Sequence, residues 1–164
     1  MSINVVMAYS GGLDTSVAIP WLKEKYDADV ITLTIDLGGG KSDSDVKDRA
    51  IKSGAVKAIV VDAREDFVNH FVFPALQAGA IYQGVYPLAT ALARPLIARY
   101  LVEVARIEKA QAVAHGCTGK GNDQVRFDLG VTSLEPSLKI IAPAREWNMT
   151  RDQEVEYALS LIHI

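Results

Sequence analysis

The chain has 164 residues, of which 49% are hydrophobic and 23% charged, a composition typical of one folded domain rather than a disordered chain. Its 17 basic and 20 acidic residues give a net charge of −3, which disfavours a nucleic-acid partner bound through its phosphates. The single cysteine excludes an internal disulfide, and no apolar leader follows a basic N-terminus, so we predict a cytoplasmic protein.

Strand and helix patterns alternate along the chain. Short apolar runs predict five strands, at residues 4–9, 30–36, 57–62, 112–115 and 139–142. Amphipathic stretches predict helices at residues 15–25, 44–53, 65–79 and 88–109, whereas the pattern at residues 124–134 does not decide the element type. This alternation predicts an α/β fold with a Rossmann-like, doubly wound parallel sheet of about five strands and helices on both faces.

Several boundaries have local signals. Ser44 is predicted as the N-cap of the second helix and Gly54 as its end, and residues 143–148 are predicted as a loop. Thr150 and Gln153 have the spacing of a capping box for a last helix. The most apolar segment, residues 88–107, contains charges and a proline, so we predict a buried helix and no membrane partner.

Three polar, glycine-containing loops follow predicted strands, at residues 10–15, 36–44 and 116–124. In a parallel sheet the carboxyl ends of the strands share one edge, which is where ligands bind. We therefore expect the three loops to converge on one ligand.

The first of these loops has the composition of a phosphate-binding site. Residues 8–16 read A-Y-S-G-G-L-D-T-S, with glycines that let the backbone approach an anion and hydroxyl groups beside a helix N-terminus. The alternative is a glycine turn whose serine and threonine only cap the helix. Asp14 is compatible either with a Mg²⁺ site beside the phosphates or with capping, and the sequence leaves both open.

The third loop belongs to a polar stretch, His115 to Asp128, that reads H-G-C-T-G-K-G-N-D-Q-V-R-F-D. Its carboxylates and amides suit an ammonium group, and its arginine suits a carboxylate, so the loop is predicted to bind a zwitterion. The alternative is a long solvated loop in which Asn122 or Asp123 caps a helix.

These two motifs, together with Y-P-L-A-T-A-L-A-R-P at residues 86–95, resemble the argininosuccinate synthase family of pyrophosphate-loop enzymes, in order and in spacing. The resemblance implies a fold like that of the adenine nucleotide alpha hydrolases. It also implies ATP contacts by Ala8, Tyr9, Ser10, Gly11, Gly12, Leu13, Asp14, Thr15, Ser16, Ile35 and Gly116. Contacts with L-citrulline are implied for Tyr86, Asn122 and Arg126, and contacts with L-aspartate for Thr118, Asn122 and Asp123.

The reaction implied by the resemblance is an ATP-dependent ligation in arginine biosynthesis. The citrulline ureido oxygen attacks the α-phosphate of ATP, pyrophosphate leaves with Mg²⁺, and the aspartate amine displaces AMP to give argininosuccinate. No catalytic residue and no protein metal ligand is assigned. Family members continue into a second, synthetase domain and form homotetramers, so we expect this chain alone to bind ATP without turnover.

The chain departs from the family pattern at Ala91, where some members carry a citrulline-binding serine, and at Gly39, where a glutamine often stands. Cys117 occupies a variable position and is predicted to be a packed residue without reactivity. We divide the chain into an ATP-binding domain at residues 1–158 and a non-native tail at residues 159–164. The tail, L-S-L-I-H-I, matches one reading frame of a transposase sequencing adaptor.

Two other functions are compatible with the residues. One is a different pyrophosphate-loop enzyme, such as an amidating or tRNA-thiolating ligase, although paired cysteines and a basic surface expected of a thiolase are lacking. The other is a non-catalytic ATP-binding module.

Overall fold

The computed structural model describes residues 2–39, 42–147 and 149–162. Its five strands are β1 Ile3–Ala8, β2 Ala28–Asp36, β3 Lys57–Asp62, β4 Ala112–Ala114 and β5 Lys139–Ile141. They form one sheet in the order β3-β2-β1-β4-β5, and every neighbouring pair is parallel. The predicted parallel sheet is confirmed. The order in which strands are added reverses between β1 and β4, which is the place where such sheets bind ligands.

Helices connect the strands. Their bounds are α1 Leu13–Tyr26, α2 Asp43–Lys52, α3 Arg64–Phe67, α4 Phe73–Gln77, α5 Ala89–Ile107, α6 Asp123–Leu134, α7 Pro143–Glu146 and α8 Arg151–Ile162. The segment at residues 124–134, whose type the sequence left undecided, is therefore helical. Among the described residues, no helix combines the length and the apolar character that a membrane crossing requires.

Each face of the sheet is buried under its own layer of helices. Val5 and Met7 of β1 pack with α1 and α2 on one face, whereas Val6 packs with α5 and α6 on the other. All three side chains are fully buried. Because side chains alternate along a strand, a strand with helices on both faces places side chains in both apolar layers, and residues 5–8 of β1 are all apolar. The continuous apolar run of β1 has this cause.

Two predicted boundaries are wrong. The second helix begins at Asp43 with Ser42 at its N-cap position, and the Ser42 hydroxyl bonds the predicted cap, Ser44, at 2.6 Å. The segment at 143–148 was predicted as a loop but contains α7. Pro143 lies in the first turn of this helix, where its ring fixes φ near the helical value. Asn148 lies outside the described residues. Gly54 does end α2, with a φ of +103°.

The predicted helix at residues 65–79 contains a break. A π-helical turn at Val68–Val72 separates α3 from α4. Pro74 follows this turn and has no N–H to donate to the carbonyl four residues earlier, which favours a local change in the hydrogen-bonding pattern.

The capping box of the last helix is confirmed. The Thr150 N–H donates to Gln153 Oε1 at 2.8 Å, and the Gln153 N–H donates to Thr150 Oγ1 at 3.4 Å. The helix that follows, α8, packs against α1 and includes residues 159–162 of the predicted tail. Residues 163–164 lie outside the described residues.

Candidate functional site

A cleft of about 730 Å³ lies over the carboxyl ends of β1, β2 and β4. Residues from all three predicted loops line it, so their predicted convergence is confirmed. Eight of the sixteen predicted site residues are in its wall: Ala8, Tyr9, Ser10, Gly12, Asp14, Thr15, Ile35 and Gly116.

The loop between β1 and α1 presents an uncapped helix N-terminus to this cleft. Gly12 is at the N-cap position with a φ of −86°, and no side chain caps the first turn of α1. Gly11 has a φ of +71°, a conformation that favours glycine. Free N–H groups and the positive end of the helix dipole therefore face the cleft, as an anion site requires.

Hydroxyl groups hold this loop in shape. Ser10 Oγ lies 3.1 Å from Thr15 Oγ1, which donates to the Gly12 carbonyl at 3.2 Å. Ser16, predicted as an ATP contact, bonds the Tyr9 hydroxyl at 2.9 Å and does not line the cleft. Gly11 and Leu13 are likewise outside the lining.

Two arginines that were not predicted as site residues contact the same loop. Arg49 on α2 donates to the Gly11 carbonyl at 2.7 Å. Arg151 on α8 pairs with Asp14 and lies 3.2 Å from Glu154 Oε2. Asp14 therefore has a side-chain cation as its partner in this structure. Only the tertiary fold brings Arg49 and Arg151 to the loop, and no local motif marks them.

The loop after β2 forms a second wall. Asp36 Oδ1 accepts the Gly38 N–H at 2.8 Å, and Gly38 and Gly39 both have left-handed backbones. At Gly39, one of the two positions where the chain departs from the pattern of the resemblance, φ is +72° and the space around a Cβ is open. A side chain there would have room but a strained backbone. Gly40 and Lys41 lie outside the described residues.

The predicted substrate residues lie beside the cleft rather than in its wall. Asp123 accepts from Arg94 at 3.0 Å and from Arg126 at 3.1 Å. Hydrogen bonds from Thr90 lower the pKa of Tyr86, and Asp123 and Arg126 are close enough to add smaller, opposing electrostatic effects. The structure therefore brings these three predicted residues into one neighbourhood.

The other two substrate residues are exposed. Thr118 lies in the polar loop, and Asn122 occupies the N-cap position of α6 without a side-chain cap bond. The alternative prediction, that Asn122 caps a helix, is therefore right about its position, but its side chain makes no capping hydrogen bond.

The cleft also contains side chains that the sequence analysis did not assign to a site. Arg94, His115 and Phe127 line it, and the Arg94 guanidinium lies 5.8 Å from the centre of the Phe127 ring. Burial raises the pKa of the Cys117 thiol, which agrees with its prediction as a packed, unreactive residue. Arg94 belongs to the L-A-R-P motif, which was the available signal for it.

The parallel sheet, the strand-order reversal and the glycine loop before α1 define an α/β domain of the HUP class. Solved structures share this fold: a predicted tRNA methyltransferase subunit from Methanocaldococcus jannaschii has a TM-score of 0.64 at 16% identity, covering 96% of this chain and 74% of that one. The U34-tRNA thiolase NcsA from Methanococcus maripaludis has a TM-score of 0.57 at 18% identity, covering 98% and 56%. At these identities the similarity concerns the fold alone.

Sequence comparison is more specific. Residues 4–161 match the family model described as the arginosuccinate synthase N-terminal HUP domain, and the chain belongs to this family. It is 60% identical over 158 residues to the argininosuccinate synthase of Dehalococcoides mccartyi strain 195, covering 96% of this chain and 39% of that protein. The enzyme of Dictyoglomus turgidum is 61% identical, with 95% and 39% covered. The chain thus spans about two fifths of the length of these relatives.

Proposed function

We propose that this chain binds Mg·ATP in the cleft above β1, β2 and β4, and that it serves as the nucleotide-binding part of an argininosuccinate synthase. The observation that supports ATP binding is the N-terminus of α1, which is uncapped, follows Ser10-Gly11-Gly12 and opens into the cleft. Such a helix end binds phosphate through its N–H groups and dipole. The eleven predicted ATP contacts, residues 8–16 with Ile35 and Gly116, surround or support it.

A magnesium ion fits this site as a partner of the phosphates. Mg²⁺ usually takes one or two carboxylates and completes its shell with substrate phosphates and water. Asp14 lines the cleft beside the glycine loop. It would supply such a carboxylate if the ion took the place of Arg151 as its partner. Within the described residues, no group of three or more His, Cys, Asp or Glu side chains is arranged as a metal site. Bound there, Mg²⁺ would offset the negative charge of pyrophosphate.

The proposed amino-acid substrates are L-citrulline and L-aspartate, bound beside the nucleotide. Arg126 offers a planar fork for a carboxylate, and Asp123 offers a negative charge for an ammonium group. Tyr86 is 40% exposed and shares their neighbourhood. Thr118 and Asn122 are exposed on the same loop and complete the proposed set.

The proposed reaction activates citrulline and then exchanges AMP for aspartate. The ureido oxygen attacks the α-phosphate and pyrophosphate leaves, after which the aspartate amine displaces AMP. The residues named here act by positioning and by charge, which is how proteins accelerate most phosphoryl and nucleotidyl transfers. For the protein as a whole, we propose the cytoplasmic location and the homotetramer that the family implies.

Calorimetric titration of the 164-residue chain with Mg·ATP tests the nucleotide site. Gly12→Asp places a carboxylate where the phosphates bind, and we expect it to weaken binding by more than about tenfold. Gly12→Ala adds a methyl group without a charge, and its Cβ would meet Ser10 Oγ at 3.4 Å. Comparing the two variants therefore separates the electrostatic effect of the carboxylate from the steric effect of a side chain. A folded wild-type chain without affinity for Mg·ATP would contradict the proposal.

A chimera tests the synthase reaction. Residues 4–158 of this chain would replace the matching segment of the Dictyoglomus turgidum relative, and pyrophosphate release would be measured with ATP. We expect release that depends on citrulline, and argininosuccinate only when aspartate is also present. Release that does not depend on citrulline would indicate a different acceptor.

A further inference from the structure

A buried histidine in the lining of the cleft has hydrogen-bond partners at both ring nitrogens. His115 follows β4 and is 1% exposed. Its Nε2 lies 3.0 Å from Asp128 Oδ1, and the Cys117 backbone N–H donates to its Nδ1 at 3.2 Å. The ring also stacks on Phe127, with centroids 5.0 Å apart. A polar side chain buried this deeply is normally kept by such bonds.

These bonds determine which nitrogen carries the proton. A backbone N–H can only donate, so Nδ1 must accept, and the hydrogen of a neutral ring is then on Nε2 and points at Asp128. Burial lowers the pKa of His115, although Asp128 acts in the opposite direction. The other charged groups that face the ring are Arg145 of α7 and Arg94 of α5, and both lower its pKa further.

The histidine connects the cleft to a hydrogen-bond chain that returns to the polar loop. Cys117, whose N–H it accepts, lines the cleft. On the other side, Arg145 donates to Asp128 at 3.1 Å and to Gln124 at 2.9 Å. Gln124 in turn donates to the Gly119 carbonyl at 3.1 Å. The segment from residue 116 to residue 119 is therefore held at both ends by one network.

We propose that His115 is a positioning residue of the nucleotide site. As the Nε2–H tautomer held by Asp128, it accepts the Cys117 N–H and fixes the part of the cleft wall formed by Gly116 and Cys117. Without this acceptor, the Cys117 N–H would have to turn to another partner and the wall would move. This inference rests on the ATP binding proposed above.

Two variants of His115 separate the acceptor from the rest of the side chain. In His115→Asn an amide oxygen stands at the branch position of Nδ1 and can accept the Cys117 N–H. In His115→Gln the amide reaches toward Asp128 and leaves Cys117 without its acceptor. Both variants lose the ring and its stacking on Phe127. Glutamine keeps more of the side-chain volume than asparagine, so a role in packing alone would make His115→Gln the milder variant, the reverse of what the acceptor role predicts.

We expect His115→Gln to weaken Mg·ATP binding by about tenfold, and His115→Asn to stay within about threefold of the wild type. Calorimetry measures both affinities, and thermal unfolding tests whether both variants are folded. Equal losses of affinity, or an unchanged affinity in His115→Gln, would overturn the inference. If the folded wild type does not bind Mg·ATP, the proposed function fails together with this inference. If the wild type binds and both variants bind equally well, only the proposed role of His115 is refuted.

Nitrogen-15 NMR of the imidazole rings gives a test without nucleotide and without a variant that must fold. The chain has three histidines, and the His115 ring is assigned through NMR correlations to its own backbone. We expect a proton on Nε2 and a bare Nδ1 at pH 7. A proton on Nδ1, or on both nitrogens, would overturn the proposal.

Discussion

Helix α6 crosses helix α5 at a contact that leaves no room for an added methyl group. A Cβ at Gly130 would lie 2.9 Å from the Cβ of Ala98, which is fully buried on α5. Both atoms are attached to helix backbones, so neither can rotate away. Gly130→Ala therefore forces α6 outward, and α6 begins with Asp123, the partner of Arg94.

Two effects of opposite sign decide the stability of this variant. In a helix interior, glycine to alanine adds about 0.8–1.0 kcal/mol of stability through backbone entropy. Overpacking a close contact costs about 1–3 kcal/mol. Since the contact falls below the distance that real Cβ atoms tolerate, we expect the clash to prevail and the net loss to be about 1 kcal/mol. For a chain of this size that lowers Tm by about 2–4 °C.

Urea denaturation followed by circular dichroism measures the loss. Thr132→Ala, at an exposed position of the same helix, is the control for propensity and should gain up to about 0.7 kcal/mol. The double variant Ala98→Gly with Gly130→Ala moves the methyl from one helix to the other and should recover part of the loss, as a coupling energy in a double-mutant cycle. A Gly130→Ala chain as stable as the wild type would refute the reasoning.

Three further predictions concern titration and the cleft. Burial lowers the pKa of His115 below its ordinary 6.5. Below pH 6.5 the unfolded chain therefore binds more protons than the folded chain, so stability should decline from about pH 6.5 downward. Urea midpoints should show a smaller decline in His115→Asn. Hydrogen bonds from Arg64 hold the pKa of Asp62 at about 2, and carboxyl NMR titration should find it nearer 3.8 in Arg64→Ala, an unchanged value contradicting the assignment. Gly116→Ala brings a Cβ to 3.0 Å from the Thr15 methyl group in the glycine loop, and it should weaken Mg·ATP binding at least about fivefold. Gly119→Ala is the control, because the nearest atom to its Cβ is 4.0 Å away, and it should bind as the wild type does. Equal affinities of the two variants would disprove the steric argument.

The location of the site was largely predictable from local patterns. An apolar run followed by glycines and hydroxyls specifies a strand, a tight turn and a helix start, because each step depends on neighbouring residues only. The parallel orientation of the strands then follows from the helical connections, and with it the shared edge for three loops. The prediction of Thr150 with Gln153 as a capping box succeeded for the same reason, since both partners lie within one turn.

Boundary errors arose where two local signals compete. Ser42 and Ser44 both have hydroxyls suited to capping, and propensity does not rank them. Pro143 suits either a loop or the first turn of a helix. The type of the segment at 124–134 depends on Phe127 and Val131, whose burial against α5 and the sheet no local pattern reveals.

By itself, the sequence determined the α/β class, the glycine loop and the residue types available for phosphate and for zwitterions, because these depend on backbone freedom and side-chain chemistry over short spans. Only the tertiary structure decided which distant charges meet. Arg151 reaches Asp14 across 137 positions of the chain, and Arg145 joins Asp128 to Gln124 from a different element. Such pairs form because packing of the helices brings their elements together, and charge alone has many alternative partners on the surface.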